Sequence, residues 1–440
     1  MDILIKIAQL FLCFTILVGI HELGHFLMAR AFKIRVEKFY IFFDPWFSLF
    51  KFKRGDTEYG LGWLPLGGYV KIAGMIDESM DKEQMKQPVK PDEFRAKPAW
   101  QRLLVMVAGV MMNVLLAIVI YCAVCYTWGD SYFSNQDAKW GYNFNPTAHE
   151  MGFRDGDRFV SIDGEEIDNV MRVQNDLLIT DGGRRVIVER GGEPVTLDIP
   201  FESLLRMRQE KAYEDLFTLR LPFIVDSVSY TSAGEAGLES GDEVVAIDDL
   251  RDADYPRYRD YLQKHKNDKV LLTVRRDGAL IDSLALPVDA EGRIGVTVTN
   301  PYSLRTQYYT FWESIPAGIH KAGKTISSYW DQLKLIVQPK TKMYEELGGF
   351  VAIGSIFPSS WDWHDFWLKT AFLSIILAVM NLLPIPGLDG GHALFTLWEI
   401  ITRRKPSEKF LEVAQYVGLM IILALLVYAN GNDIYRFFIK

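Results

Sequence analysis

Two imidazoles four positions apart, with a carboxylate beside the first, occur once in this sequence, as His21-Glu22-Leu23-Gly24-His25. On a helix this spacing is about 6 Å along the axis and puts both rings on one face, within reach of a single metal ion. Neutral imidazole nitrogens suit Zn2+, and a catalytic zinc site keeps three protein ligands with one position open for water. Glu22 adjoins that position and can take the proton of the water. The motif lies inside an apolar block, Ile3 to Phe32. A charged side chain near the centre of a membrane helix costs roughly 2.5–3.5 kcal/mol unless it is paired, hydrated or ligated. Metal ligation supplies the reason for three ionisable groups there; a histidine pair satisfied by neighbouring helices is the structural alternative.

A third ligand must come from elsewhere at similar depth. The segment Asn381-Leu-Leu-Pro384-Ile-Pro386-Gly-Leu-Asp389-Gly390-Gly391-His392 follows another apolar block. Its prolines remove backbone donors and break a helix, and the glycines let the chain turn, so a side chain can point into a cavity. Asp389 is the stronger candidate and His392 the competitor.

Three further apolar blocks are long enough to cross a bilayer: Leu103 to Trp128, Phe366 to Leu383 and Val413 to Tyr428. With the first block they predict four spans. Basic residues cluster after span one (Arg30, Lys33, Arg35, Lys38, Lys51, Lys53, Arg54) and between spans three and four (Arg403, Arg404, Lys405, Lys409). Lys and Arg near span ends stay cytoplasmic, so both termini and the long middle region are expected outside the cytoplasm. A formal net charge of −8 gives no footprint for nucleic acid. Three cysteines are too few for a disulfide framework, and Cys122 and Cys125, inside an apolar block, read as structural.

The middle region contains a repeat. Ala148, Gly152, Phe153, Gly156 and Asp157 recur at one displacement as Ala233, Gly237, Leu238, Gly241 and Asp242, and the match continues from Val160-Ser-Ile-Asp163 to Val245-Ala-Ile-Asp248. Alternating β-formers meeting a glycine turn follow in each copy. The Gly-Asp element leading into a strand resembles tandem bacterial PDZ domains, which bind peptides by adding a strand to a sheet edge.

Together, HELGH in the first span and N-x-x-P-x-P-x-x-D-G in the third, separated by this repeat, resemble the site-2 proteases over the whole chain, in the bacterial regulator-of-sigma-E protease branch. The resemblance implies zinc bound by His21, His25 and Asp389, with Glu22 as general base and Asn381 holding the substrate backbone. Ala108-Gly109-Val110-Met111-Met112-Asn113 resembles a family element of span two, with Val110 in place of the usual proline, and implies that Asn113 faces the cleft; a buried asparagine bonded between helices is equally compatible. Tyr59 to Lys71 resembles a membrane-reentrant sheet, with Gly67, Gly68, Tyr69, Val70 and Lys71 pairing with an unwound substrate. A glycine-rich element upstream in the family is replaced here by Phe42-Phe43-Asp44. Ile315, Ile319, Ala322, Ile326, Tyr329, Leu333 and Ile336 form an apolar stripe at helical spacing, expected to lie on the outer membrane surface or against a PDZ domain.

The expected fold is a polytopic α-helical membrane protein with four transmembrane helices, a membrane-associated β-hairpin or sheet, and two tandem mixed α/β PDZ domains. The expected division is 1–128 (spans one and two), 129–215 and 216–303 (PDZ domains), 304–365 (amphipathic helix and connection) and 366–440 (spans three and four). The expected partners are the lipid bilayer and transmembrane segments of single-pass proteins or signal-peptide remnants, cut in a bacterial inner membrane after a first extracytoplasmic cleavage, as for an anti-sigma factor. A non-catalytic PDZ scaffold and a zinc hydrolase of non-peptide substrates are the competing readings.

Overall fold

The computed structural model describes residues 2–64, 67–75, 88–229 and 236–439. Pro65 of the reentrant segment and Ala233 of the repeat lie outside these residues. The chain divides into two compact units, Met1–Asp130 with Tyr308–Lys440, and Ser131–Gln307.

The first unit is built on helices α1 (Asp2–Ala31), α2 (Ala99–Trp128), α3 (Phe311–Val337), α4 (Phe350–Ser355), α5 (Trp363–Leu382), α6 (Asp389–Thr402) and α7 (Glu408–Ile434). Among the described residues, α1, α2, α5 and the helix spanning Lys409–Phe437 are long and apolar enough to cross a membrane, which fits a multi-pass membrane protein. Helix α2 is central and packs against α1, α3, α5 and α6. The apolar stripe of α3 packs within this unit. Ala322, with Ile326, Tyr329 and Leu333, packs onto Ala117, Ile120, Tyr121 and Val124 of α2 and Ala371 and Ile375 of α5. The surface it covers belongs to the spanning helices themselves, whose small residues allow close approach. Helix α7 is tied down by polar groups near its end: Asp433 accepts from the Val351 and Ala352 amides, and Asn432 donates to the Glu345 and Leu347 carbonyls.

Between α1 and α2 lies a four-stranded sheet of β1 (Val36–Ile41), β2 (Phe43–Arg54), β3 (Thr57–Leu64) and β4 (Tyr69–Ile72), in the order β2-β3-β1-β4. It is larger than the segment read from the sequence, because Phe42-Phe43-Asp44 forms its first corner. Phe42 holds a left-handed φ of 69° there, a conformation costly for a side chain with a Cβ and sustained by the pairing on either side. Trp46, Phe47, Leu49, Phe50 and Phe52 of β2 are exposed.

The second unit holds the repeat. In the first copy β5 (Tyr142–Phe144) precedes a sheet of β6 (Arg158–Ile162), β7 (Glu165–Glu166), β8 (Arg184–Arg190) and β9 (Glu193–Ile199), ordered β9-β8-β6-β7, while β10 (Phe217–Leu219) returns to pair with β5. In the second copy β11 (Phe223–Val228), β12 (Glu243–Ile247), β13 (Leu250–Arg251), β14 (Lys269–Arg276), β15 (Ala279–Pro287) and β16 (Val296–Val298) join as one sheet, ordered β15-β14-β12-β11-β16 with β13 beside β12. Each copy has its own apolar core, around Phe153, Phe159, Val186 and Val188 in one and Leu238, Val244, Leu272 and Val274 in the other. The equivalence extends to polar detail. Asp157 accepts a forked pair of bonds from Arg190 (2.7 Å each) and one from the Arg154 amide, and Asp242 does the same with Arg276 (2.7 Å each) and the Glu239 amide. Asp163 and Asp248 both adopt left-handed φ, at 51° and 50°, and each accepts from a strand amide.

Candidate active site

Helix α1 carries the His-Glu-x-x-His motif as the spacing requires, and His21 and His25 are both buried. Their Nε2 atoms stand 3.2 Å apart. Asp389 Oδ2 lies 3.1 Å from the first and 3.2 Å from the second. Among the described residues these three form the group whose ligand atoms converge closely enough to hold a metal ion, and His392 is not one of them. The proline-broken segment achieves this by ending α5 at Leu382 and starting α6 at Asp389. The carboxylate therefore stands in the first turn of a helix, where the unpaired amides and the macrodipole favour a negative charge. Gly391 permits the tight return, since a Cβ there would meet the Ile385 carbonyl oxygen at 2.5 Å.

Tautomers follow from the neighbours. His25 Nδ1 is 2.8 Å from the Val105 carbonyl oxygen, which can only accept, so Nδ1 carries a proton and Nε2 is the nitrogen available to a metal. Asp389 Oδ2, in turn, is buried and has no hydrogen bond of acceptable geometry despite its closeness to both rings. Two imidazole nitrogens and a carboxylate oxygen converging on one point are the donor set that suits a cation, so these side chains fit a zinc ion.

Glu22 lies on the same helix, with its Cγ 3.3 Å from where a Cβ at Gly68 would stand and its carboxylate in contact with the Val70 backbone. Gly67 and Gly68 lead into β4. A Cβ at Gly68 would also meet the Tyr40 oxygen at 2.7 Å and Val18 at 2.8 Å, so the strand enters close against α1 only without a side chain there. Tyr69, Val70 and Lys71 pair antiparallel with Tyr40, Phe39 and Lys38. Among the described strands nothing pairs with the other side of β4, which is an edge of the sheet. Tyr69 donates to Asp44 (2.9 Å) and Lys71 is 3.6 Å from Glu37, while Val70 and Ile72 are buried in a cluster with Val105 and Met106 of α2.

Asn381 Nδ2 is 3.4 Å from His21 Nε2, at the mouth of the triad. Asn113 is brought to the site but from behind: it is 0% exposed, and its Nδ2 is 3.2 Å from His21 Nδ1. Two contributors were not read from the sequence. A Cβ at Gly109 would stand 2.7 Å from His21 Cε1, and one at Gly24 would stand 2.5 Å from the Ala108 oxygen. These glycines let α1 and α2 touch backbone to backbone where the imidazoles sit. Small residues facing each other on two apolar helices were the available signal.

Residues 9–425 match Peptidase family M50. The chain belongs to this family, that of the site-2 type metalloproteases. It is 30% identical over 426 residues to "Putative zinc metalloprotease CPE1693" of Clostridium perfringens, covering 96% of each chain. A Vibrio cholerae protein named in the same terms is 29% identical over 462 residues, covering 99% of each. The regulator of sigma E protease of Haemophilus influenzae is 27% identical over 460 residues, covering 99% of this chain and 100% of that one.

Proposed function

We propose that this protein is an intramembrane zinc endopeptidase that hydrolyses peptide bonds in the transmembrane segments of other membrane proteins. The observation that carries this reading is the convergence of His21, His25 and Asp389 inside a unit of membrane-length apolar helices. These three residues would hold the zinc ion, which when bound polarises a carbonyl and lowers the pKa of water to about 7. Glu22 takes the proton of the attacking water and returns it to the departing amine. The Asn381 amide, facing the same point, donates to the substrate carbonyl oxygen as negative charge develops on it.

A transmembrane helix hides its peptide groups in internal hydrogen bonds and must unwind to be cut. The edge of β4 that no described strand pairs offers the replacement: a substrate strand pairing along Gly67, Gly68, Tyr69, Val70 and Lys71 would be held extended beside Glu22. The exposed aromatic face of β2 suits insertion of this sheet into the bilayer. The basic residues after α1 and after α6 support a cytoplasmic location for these loops in a bacterial inner membrane, with the second unit, read as a tandem PDZ pair, outside the cytoplasm. The name of the Haemophilus relative supports a role in regulated proteolysis after a first extracytoplasmic cut, with an anti-sigma factor or signal-peptide remnant as substrate.

The test is cleavage of a model transmembrane substrate by the purified protein, with metal analysis. The parent is expected to bind one zinc and cleave; Glu22→Gln is expected to keep the zinc and lose on the order of 10²–10⁴ in rate, since an amide preserves shape without accepting a proton. Full activity in that variant refutes the assignment, and a zinc-free parent favours the scaffold reading.

A further inference from the structure

Val105, Gly109 and Asn113 succeed one another at intervals of four on α2 and so line one face of it. Each meets the histidine pair: the Val105 carbonyl takes the His25 Nδ1 proton, Gly109 makes room for both rings, and the Asn113 amide meets His21 Nδ1. Building on the metal-site reading above, we infer that Asn113 is a positioning residue. Its amide oxygen accepts the Nδ1 proton of His21 and thereby fixes the ring with Nε2 open toward the metal.

The argument runs through the proton inventory. With an amide nitrogen at His21 Nδ1, the ring would have to accept there and carry its proton on Nε2, the atom pointing at Asp389. That tautomer cannot ligate through Nε2. With the amide oxygen there, His21 repeats the arrangement that the Val105 carbonyl imposes on His25. The two orientations differ by a half-turn of an amide whose oxygen and nitrogen have nearly the same shape. They are otherwise closely matched, since Asn113 Oδ1 as placed is buried and has no partner, and the amide makes one side-chain bond either way. What separates them is the ring nitrogen that each leaves with a lone pair. The backbone that carries Asn113 is tied to α5, because its main-chain carbonyl accepts from the Ser374 hydroxyl at 2.8 Å. Fully buried, it is thus assigned to the imidazole and not to the substrate.

The test measures the zinc affinity of purified, folded protein by competition with a chromophoric chelator. Asn113→Leu, similar in volume but unable to accept, is expected to bind zinc on the order of 10- to 100-fold more weakly, whereas Asn113→Asp, which accepts and cannot donate when ionised, is expected to stay within about threefold of the parent. Equal losses in the two variants would show that the amide donates, and unchanged affinity in Asn113→Leu would show that it does nothing to the ring; either overturns the inference. Thermal unfolding of the zinc-free forms guards against misfolding, and Asn113→Ser, smaller and still able to accept, replaces the leucine variant if that fails to fold, with an expected affinity between the other two. A parent that binds no zinc overturns the metal site itself and is distinct from every outcome above.

Discussion

Both units turn carboxylates inward, fully buried in the second and half-buried at Asp389 in the first, and they treat them differently. In the second unit Asp157 and Asp242 are 0% exposed, and each receives a forked guanidinium and a backbone amide. Their negative charge is matched within the protein, and the same Arg also binds the carbonyl of Gly152 or Gly237, closing the turn. In the first unit Asp389 faces two imidazole nitrogens at bonding distance, and its Oδ2 has no satisfied hydrogen bond. A carboxylate matched by a guanidinium and an amide of its own chain holds a fold together; one that meets two metal-binding imidazoles with an oxygen left without a hydrogen bond suits a ligand.

The comparison breaks most sharply at Asp389. Asp389→Asn is expected to lower zinc affinity and proteolysis together, by at least about 100-fold, while His392→Ala leaves zinc stoichiometry intact. Loss of zinc only in the His392 variant, by elemental analysis, would exchange the two residues. A smaller effect is expected at Gly109→Ala, whose methyl group would intrude on both rings. Zinc affinity should fall roughly 10-fold with helix content unchanged by circular dichroism, and parent-like affinity would mean that α2 can withdraw freely.

In the second unit Arg276→Ala strands the buried Asp242 and is expected to destabilise that unit, less than the loss of a fully buried pair would, because a quarter of the Arg276 side chain faces water. Hydrogen exchange in β12 and β14 should accelerate while zinc binding is unchanged; coupled loss of zinc would deny the two units their separate logic. The gentlest probe is pH. Burial pushes the Asp242 carboxyl upward, but the Arg276 guanidinium and the Glu239 amide outweigh it and hold the pKa below the ordinary range. The folded value is therefore the lower one, so the stabilisation is complete above the unfolded pKa of about 3.9 and is lost as pH falls through the folded value. Exchange in β12 should rise with acid in the parent and lose part of that dependence in Arg276→Ala.

Much of this was legible in the chain because it is local. Four apolar blocks report helices that need only their own residues to satisfy their backbones, and the four-residue spacing of His21 and His25 needs only a helix to bring them together. The duplicated Gly-Asp pattern reports two copies of one turn. The partner of that histidine pair was not local. Asp389 and His392 are neighbours in sequence, and the choice between them depends on where α6 begins after the proline break. The apolar stripe of α3 showed that the helix has a buried face and not which surface covers it, since periodicity carries no information about a partner. Phe42, which has no glycine's freedom, gave no sign that it would turn a corner with positive φ; strand pairing on both sides imposes that conformation.

By itself the sequence determined which residues can do chemistry and that they lie in apolar helices, because residue type, spacing and hydrophobic period are properties of the chain. Tertiary structure alone decided which atoms meet. That Val105 offers a carbonyl, Gly109 a gap and Asn113 an amide to the same two rings follows from the close approach of α1 and α2. The position of a proton on an imidazole is set by whatever stands three ångströms away, and the amino-acid order does not specify that neighbour until the helices have packed.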